Sequence, residues 1–161
     1  MRLIIVAALL LPFWGMTQDC KLHRDTDPYT KETKLSSGFM GIPGGSVSID
    51  ADAREVDLFF VINEKCFVDG AMVQVFFEGI KAKMTYRNTG SMNCDGYFHI
   101  KFRNGASTPS LLQRFSTHKV TQLSFTTSDK KEKVITLSPE EQAQLQQLAT
   151  CVINEAKTLV K

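Results

Sequence analysis

Apolar and polar residues alternate with a period of two through the middle of the chain, and this predicts strands. Val47, Ile49 and Ala51 alternate with Ser46, Ser48 and Asp50, a short strand with one dry face. In 55–63, Val56, Leu58, Phe60 and Ile62 make one apolar face. Phe59 and Val61 make the other face apolar too, so this strand is expected to be covered on both sides. Asp69-Gly70 signals a turn before Val73, Val75 and Phe77. Gly79 then leads into Ala82, Met84 and Tyr86, alternating with Lys81, Lys83, Thr85 and Arg87. After a loop over 88–96, Phe98, Ile100 and Phe102 alternate with Tyr97, His99, Lys101 and Arg103. Four consecutive strands on short connections predict an antiparallel meander.

The flanks carry other signals. Residues 21–34 are polar around an Asp27-Pro28-Tyr29-Thr30 turn, which predicts a hairpin of two short strands. Residues 38–45 (GFMGIPGG) read as a glycine-rich loop. Thr108-Pro109-Ser110 can cap one helical turn through Leu111, Leu112 and Phe115. Strands are expected over 119–126 and 132–137, with a tight turn at Ser128-Asp129-Lys130. A helix should follow, with Ser138 as N-cap, Pro139 at the first helical position and Glu141 completing a capping box. Leu145, Leu148, Val152, Ala156 and Leu159 recur at helical spacing, a stripe that should dock on the sheet and leave Gln146 exposed. The fold class expected is α+β: an antiparallel β-meander sheet or small sandwich with a C-terminal α-helix packed on it.

The first residues change the compartment. Arg2 precedes the apolar run Leu3 to Trp14, which is shorter than the ~20 residues needed to cross a bilayer and suits the apolar core of a signal peptide. Gly15 and Thr17 are small enough for signal peptidase, so residues 1–17 are expected to be removed. Residues 18–161 are then a single disulfide-linked, β-rich domain, secreted or periplasmic, with no transmembrane segment after cleavage. Lipid attachment at Cys20 is not indicated, because Thr17-Gln18-Asp19 is the wrong preceding set. In an oxidising compartment four cysteines favour two disulfides out of three possible connectivities. No pair has C-x-x-C spacing, which speaks against a redox or zinc motif. In the expected meander Cys66 ends one strand and Cys94 lies two reversals later, at the same edge. That places Cys66 with Cys94 and leaves Cys20 for Cys151.

Composition narrows the partners. The chain has 161 residues, 43% of them hydrophobic, and its 19 Lys and Arg against 17 Asp and Glu leave a net charge of +2. That balance makes no electrostatic case for nucleic acid.

The candidate chemistry is thin. Cys20, His23, Asp25 and Asp27 are close in sequence but do not have the spacing of a zinc site. Asp50-Ala51-Asp52 is similar to the opening of a calcium loop, yet Arg54 stands where a ligand belongs. The glycines of 41–45 precede a strand and lack the Lys-Ser/Thr of a phosphate loop. His23, His99 and His118 sit in no catalytic motif. No cofactor, metal ligand or catalytic residue is assigned. One surface does stand out. If the meander pairs as read, Tyr97, His99, Lys101 and Arg103 share a face with Lys81, Lys83 and Arg87, with Gln74, Glu78, Phe59 and Phe76 beyond. Such a basic, aromatic-edged face can bind a protein, a peptide or an anionic glycan; the alternative is a solvated face balanced by Glu–Lys pairs.

The order of these pieces resembles small secreted domains of Gram-negative bacteria, a group with no known activity. The features are Gln18-Asp19-Cys20, a charged hairpin (KLHRDTDPYTKETK), a strand pair (KVTQLSFTTSDKKEKVITLS) and a helix bearing Cys151-Val152-Ile153. The resemblance implies a cell-envelope or extracellular setting and brings no ligand. The expected function is therefore a non-enzymatic exported binding or interaction module. A small-molecule carrier with a barrel pocket is the alternative, and a hydrolase with a dispersed site the third.

Overall fold

The computed structural model describes residues 20–160, so the expected leader and its cleavage point lie outside the described residues. The alternating segments form two antiparallel sheets. In the first, β1 (His23–Thr26) pairs with β2 (Thr33–Ser36), and β2 with β4 (Gly45–Ala51). β4 pairs in turn with β5 (Glu55–Ile62), and β5 with β8 (Tyr97–Arg103). A short β3 (Met40–Ile42) runs beside β4 beyond the reach of β2. The second sheet has the order β10 (Glu132–Thr136), β9 (Val120–Thr126), β6 (Met72–Phe77) and β7 (Met84–Arg87).

The sandwich form of the α+β expectation is the one adopted. The four-strand meander is not, because β5 and β6 belong to different sheets, as do β7 and β8. The connections over 63–71 and 88–96 are too long to act as hairpin turns, and both cross from sheet to sheet. The expected glycine-rich loop over 38–45 is instead a hairpin, in which Pro43-Gly44 turns β3 into β4 and Met40 and Ile42 are buried.

Both sheets bury their alternate residues in one core. At one end they meet ring to ring. Phe125 of β9 lies 5.5 Å from Phe60 and 5.1 Å from Phe98, with Phe67 against both Phe98 and Phe125. This closed end also holds the Cys66–Cys94 disulfide. The expected pairing is found, but for a simpler reason than two reversals. β5 and β8 are direct antiparallel neighbours, so the exit of one and the entry of the other lie side by side. Gly96 permits this approach. Its φ is +78°, and a Cβ there would stand 2.0 Å from the Ile62 carbonyl oxygen, so no larger residue fits.

At the other end helices fill the space. The rings of Phe77, Tyr86 and Phe102 converge on Phe115 of α1 (Ser110–Thr117), which is a full helix and not the single turn expected. The second helix, α2 (Pro139–Ala156), packs on α1, β2, β4 and β9. Its capping box forms as expected: Ser138 Oγ accepts from Glu141 N, and the Glu141 carboxylate from Ser138 N. The buried stripe is broader and turned from the one expected. Leu145, Ala149, Cys151, Val152, Ile153 and Ala156 are buried, whereas Leu148 and Leu159 are only half-buried. Gln146 is half-buried as well and donates to the Ser116 carbonyl, because α1 covers that side of α2. Cys151 bonds to Cys20, which ties the start of the described chain to this helix.

Candidate functional site

β5 sits inside its sheet with Phe59 pointing away from the core, and among the described residues no helix or strand packs on that face. The strand register sets cross-strand rows on it, three of which span β4, β5 and β8. Ser36, Asp50, Asp57 and Lys101 form the first row. Ser48, Phe59 and His99 form the second, and Ser46, Val61 and Tyr97 the third. The cover that Phe59 was expected to find comes from His99 in its own row, Tyr97 in the next and Phe39 just before β3. The His99 ring stacks on it at 4.4 Å with an interplanar angle of 6°. Tyr97 at 5.4 Å and Phe39 at 5.8 Å meet it edge to face. Aromatic pairs favour both arrangements. Phe39 and Tyr97 stay 62% and 41% exposed, so the cluster presents its outer rings to solvent.

His99 is held from three directions. Its Nδ1 lies 2.8 Å from Asp57 Oδ2, its backbone N–H donates to Asn88 Oδ1 at 2.9 Å, and its carbonyl accepts from Thr89 N. A side chain on Gly90 would strike the ring, with Cβ 2.9 Å from Cδ2, so glycine leaves the room the imidazole needs. Two buried polar atoms beside this arrangement have no hydrogen-bond partner among the described residues, Asp57 Oδ1 and Asn88 Nδ2.

Next to the aromatic cluster the surface turns acidic. A groove of about 250 Å³ is lined by Ser36, Asp50, Asp52, Glu55 and Asp57, with Lys34 at its side. Asp57 belongs to both features. Ser48 Oγ donates to Asp50 at 2.9 Å, and Lys101 Nζ to Glu55 at 2.6 Å. That last bond holds the Lys101 ammonium above its usual range, with partial desolvation opposing it and the charges of Glu55, Asp57 and Asp52 assisting. Asp52 Oδ1 accepts from the backbone of Arg54 and Glu55, so the apparent calcium-loop opening is an Asx turn between β4 and β5.

The sequence grouped Tyr97, His99, Lys101 and Arg103 with Lys81, Lys83 and Arg87. The first four do share the outer face of β8. The other three belong to the β7 side of the second sheet, where Lys83 bonds to Gln74 and Arg87 lies against Gly70. With its partner strand in another sheet, the β8 face is not basic: His99 and Lys101 each meet a carboxylate from β5. Cross-strand residues that sequence spacing alone could not bring together, Asp57 above all, set its charge. Phe39 carries no such spacing signal either, since it falls in the glycine-rich stretch just before β3.

The other candidates are occupied elsewhere. Cys20 is in a disulfide, and Asp27 Oδ1 accepts from Tyr29 N and Thr30 N, which holds its carboxyl below the usual range. Among the described residues no three His, Cys, Asp or Glu gather as a metal site, and no helix is long and apolar enough to cross a membrane. The chain matches no protein-family model, no curated protein and no solved structure.

Proposed function

We propose that the chain is an exported, non-catalytic binding module that takes a protein or peptide partner on the outer face of β5 and β8. One observation carries the reading: an exposed aromatic cluster built on a rigid mid-sheet strand, with an acidic groove beside it. The few residues that dominate protein interfaces are enriched in Tyr and Trp, and aromatic side chains lose little conformational entropy on binding when their neighbours already hold them. The carboxylates of Asp50, Asp52 and Glu55 select for a partner that sets Lys or Arg next to an apolar side chain. Two disulfides support an oxidising destination, secreted or periplasmic.

Against the carrier stands a filled interior, with Phe60, Phe67, Phe98 and Phe125 fully buried in one ring cluster and Phe115 fully buried against Phe77, Tyr86 and Phe102 at the other end. The Asp57–His99 pair resembles half of a hydrolytic triad. The hydroxyl in the same row, Ser48, is 2% exposed and already donates to Asp50, so it is not a free nucleophile.

A random peptide library displayed on phage tests the reading. Enriched peptides should combine an aromatic or aliphatic residue with Lys or Arg. They should lose binding to the Phe39→Ser/Tyr97→Ser variant and perturb the amide resonances of β5 and β8. Enrichment that survives this variant, or maps to the second sheet, would sink the proposal.

A further inference from the structure

The helix-filled end carries a second concavity, larger than the acidic groove and opposite in sign. It encloses about 860 Å³, within the range of small-ligand sites. Its cations arrive from four separate places: Arg24 on β1, Lys31 in the β1–β2 turn, Arg54 in the β4–β5 turn and Arg103 at the end of β8. Glu32 is the one carboxylate among the described residues that line it.

The walls are locked together by one buried amide. Asn104 is 8% exposed, and its Nδ2 donates to Asp52 O at 2.7 Å and to Ala156 O at 2.8 Å. Its own N–H reaches Arg54 O at 2.7 Å. A single side chain thus joins the β4–β5 turn, the end of β8 and the end of α2, which makes the cleft a built feature. The negative pole of α2 also points here and would oppose an anion. Neighbours blunt it, with Ala156 O taken by Asn104 and Glu155 O by Thr158 Oγ1 at 2.7 Å.

The cations are available. Arg24 meets Glu155 at 3.3 Å and Arg54 meets Glu32 at 3.5 Å, long and exposed contacts of the kind a ligand can displace. Register sets Arg103 opposite Glu55, but Glu55 holds Lys101, so Arg103 has no carboxylate within 4.0 Å among the described residues. The same is true of Lys31. Between the charges lie the hydroxyls of Thr30, Thr33 and Thr158 and the apolar Leu159 and Val160.

We propose that this cleft binds an acidic oligosaccharide, a sugar chain bearing carboxylate or sulfate groups. Spaced cations call for spaced anions, guanidinium groups grip carboxylate and sulfate in pairs, and the hydroxyl and apolar surfaces match the edges and faces of sugar rings. A single small anion would leave most of the volume empty.

Titration calorimetry on the disulfide-intact protein tests this with four probes: an oligogalacturonate, a heparin-derived oligosaccharide, a neutral malto-oligosaccharide and inorganic phosphate. At least one acidic oligosaccharide should bind, with salt weakening it, while the neutral one does not. The Lys31→Gln/Arg103→Gln variant should lose about tenfold in affinity with an unchanged melting temperature, the scale expected for lost charge-assisted bonds. Lys81→Gln/Lys83→Gln should leave it within about twofold, the scale expected of charges outside the site. Phe39→Ser/Tyr97→Ser should also leave it unchanged, so this site and the peptide face stand or fall separately. Absent binding of both acidic probes, equal binding of the neutral one, phosphate binding as tight as the oligosaccharides, or equal loss in the Lys81/Lys83 variant would each overturn it.

Discussion

The two ends of the sandwich solve the same packing problem differently. At the closed end Phe60 and Phe98 reach across to Phe125, and no third element is needed. At the other end the inward rings of Phe77 and Phe102 meet Phe115 of α1, with α2 packed behind. Both ends bury their rings, but one is made by strands with Phe67 of the β5–β6 connection, and the other depends on two helices. The external surfaces differ accordingly. The closed end bears the aromatic cluster on paired strands, whereas turns and the end of α2 enclose the basic cleft. Strand pairing sets side chains on a rigid grid; a junction of several segments makes a hollow.

Removing each disulfide tests how far the ends differ, and these are the largest effects expected. Cys20–Cys151 spans 131 residues and Cys66–Cys94 spans 28. In the chain-entropy model these closures stabilise by about 5 and about 3.6 kcal/mol. Cys20→Ser/Cys151→Ser should therefore cost more in urea melts than Cys66→Ser/Cys94→Ser. It should also raise hydrogen exchange in β1 and β2, which have little apolar surface of their own. The reverse order of stability would mean that the helix-filled end holds itself together without its tether.

Core truncation comes next. Phe125→Ala and Phe115→Ala each remove a fully buried ring, for which about 3–5 kcal/mol is typical. Phe125 touches Phe60 and Phe98 on paired strands and Phe67 in the disulfide-tied connection between β5 and β6, so its cavity cannot collapse and its cost should fall at the top of that range. Phe115 sits on a helix able to shift inward, so its cost should fall at the bottom. Equal costs in denaturant melts would show that the helices are held as rigidly as the sheets.

The same contrast explains what could be read from sequence. Alternation located the strands, and Ser138, Pro139 and Glu141 located the start of α2, because these signals are local. Alternation says that Phe60 and Phe77 point inward but not that they belong to different sheets. The informative signal was the length of the two connections bearing Cys66 and Cys94, too long for hairpins. The α2 stripe differs from its helical spacing at Leu148 and Gln146, because spacing does not reveal a second helix, α1, on the adjoining side. At the site, Tyr97, His99, Lys101 and Arg103 were correctly set on one face. Its acidity was hidden, since Asp57 reaches His99 only through β5–β8 pairing. Arg24, Lys31, Arg54 and Arg103 carry no shared motif and converge only in three dimensions.

The smallest effect separates the ends through their turns. Asp27 stands in the β1–β2 turn beside the basic cleft, and Asp129 in the β9–β10 turn, where Ser128 N donates to Cys66 O at the closed end. Both carboxyls are held below the usual range, Asp129 down to about 2. The chief cause at Asp27 is the backbone N–H of Thr30; at Asp129 it is the Thr127 hydroxyl, assisted by Lys131 N. A depressed carboxyl stabilises the folded state above its unfolded pKa, and that contribution is lost as pH falls through the folded value. For Asp129 the loss lies between about pH 4 and pH 2. Both groups are exposed, so solvent screens the effect and the change should be slight. Asp129→Asn should flatten the stability profile over that interval without moving it at pH 7 by more than the hydrogen bond itself is worth. Amide exchange at pH 3 should then rise in β9 and β10 of the wild type while β1 and β2 respond to Asp27→Asn instead. If either substitution changed both hairpins together, the two ends would not be separate cooperative units, and the contrast drawn from their packing would fail at the level of dynamics.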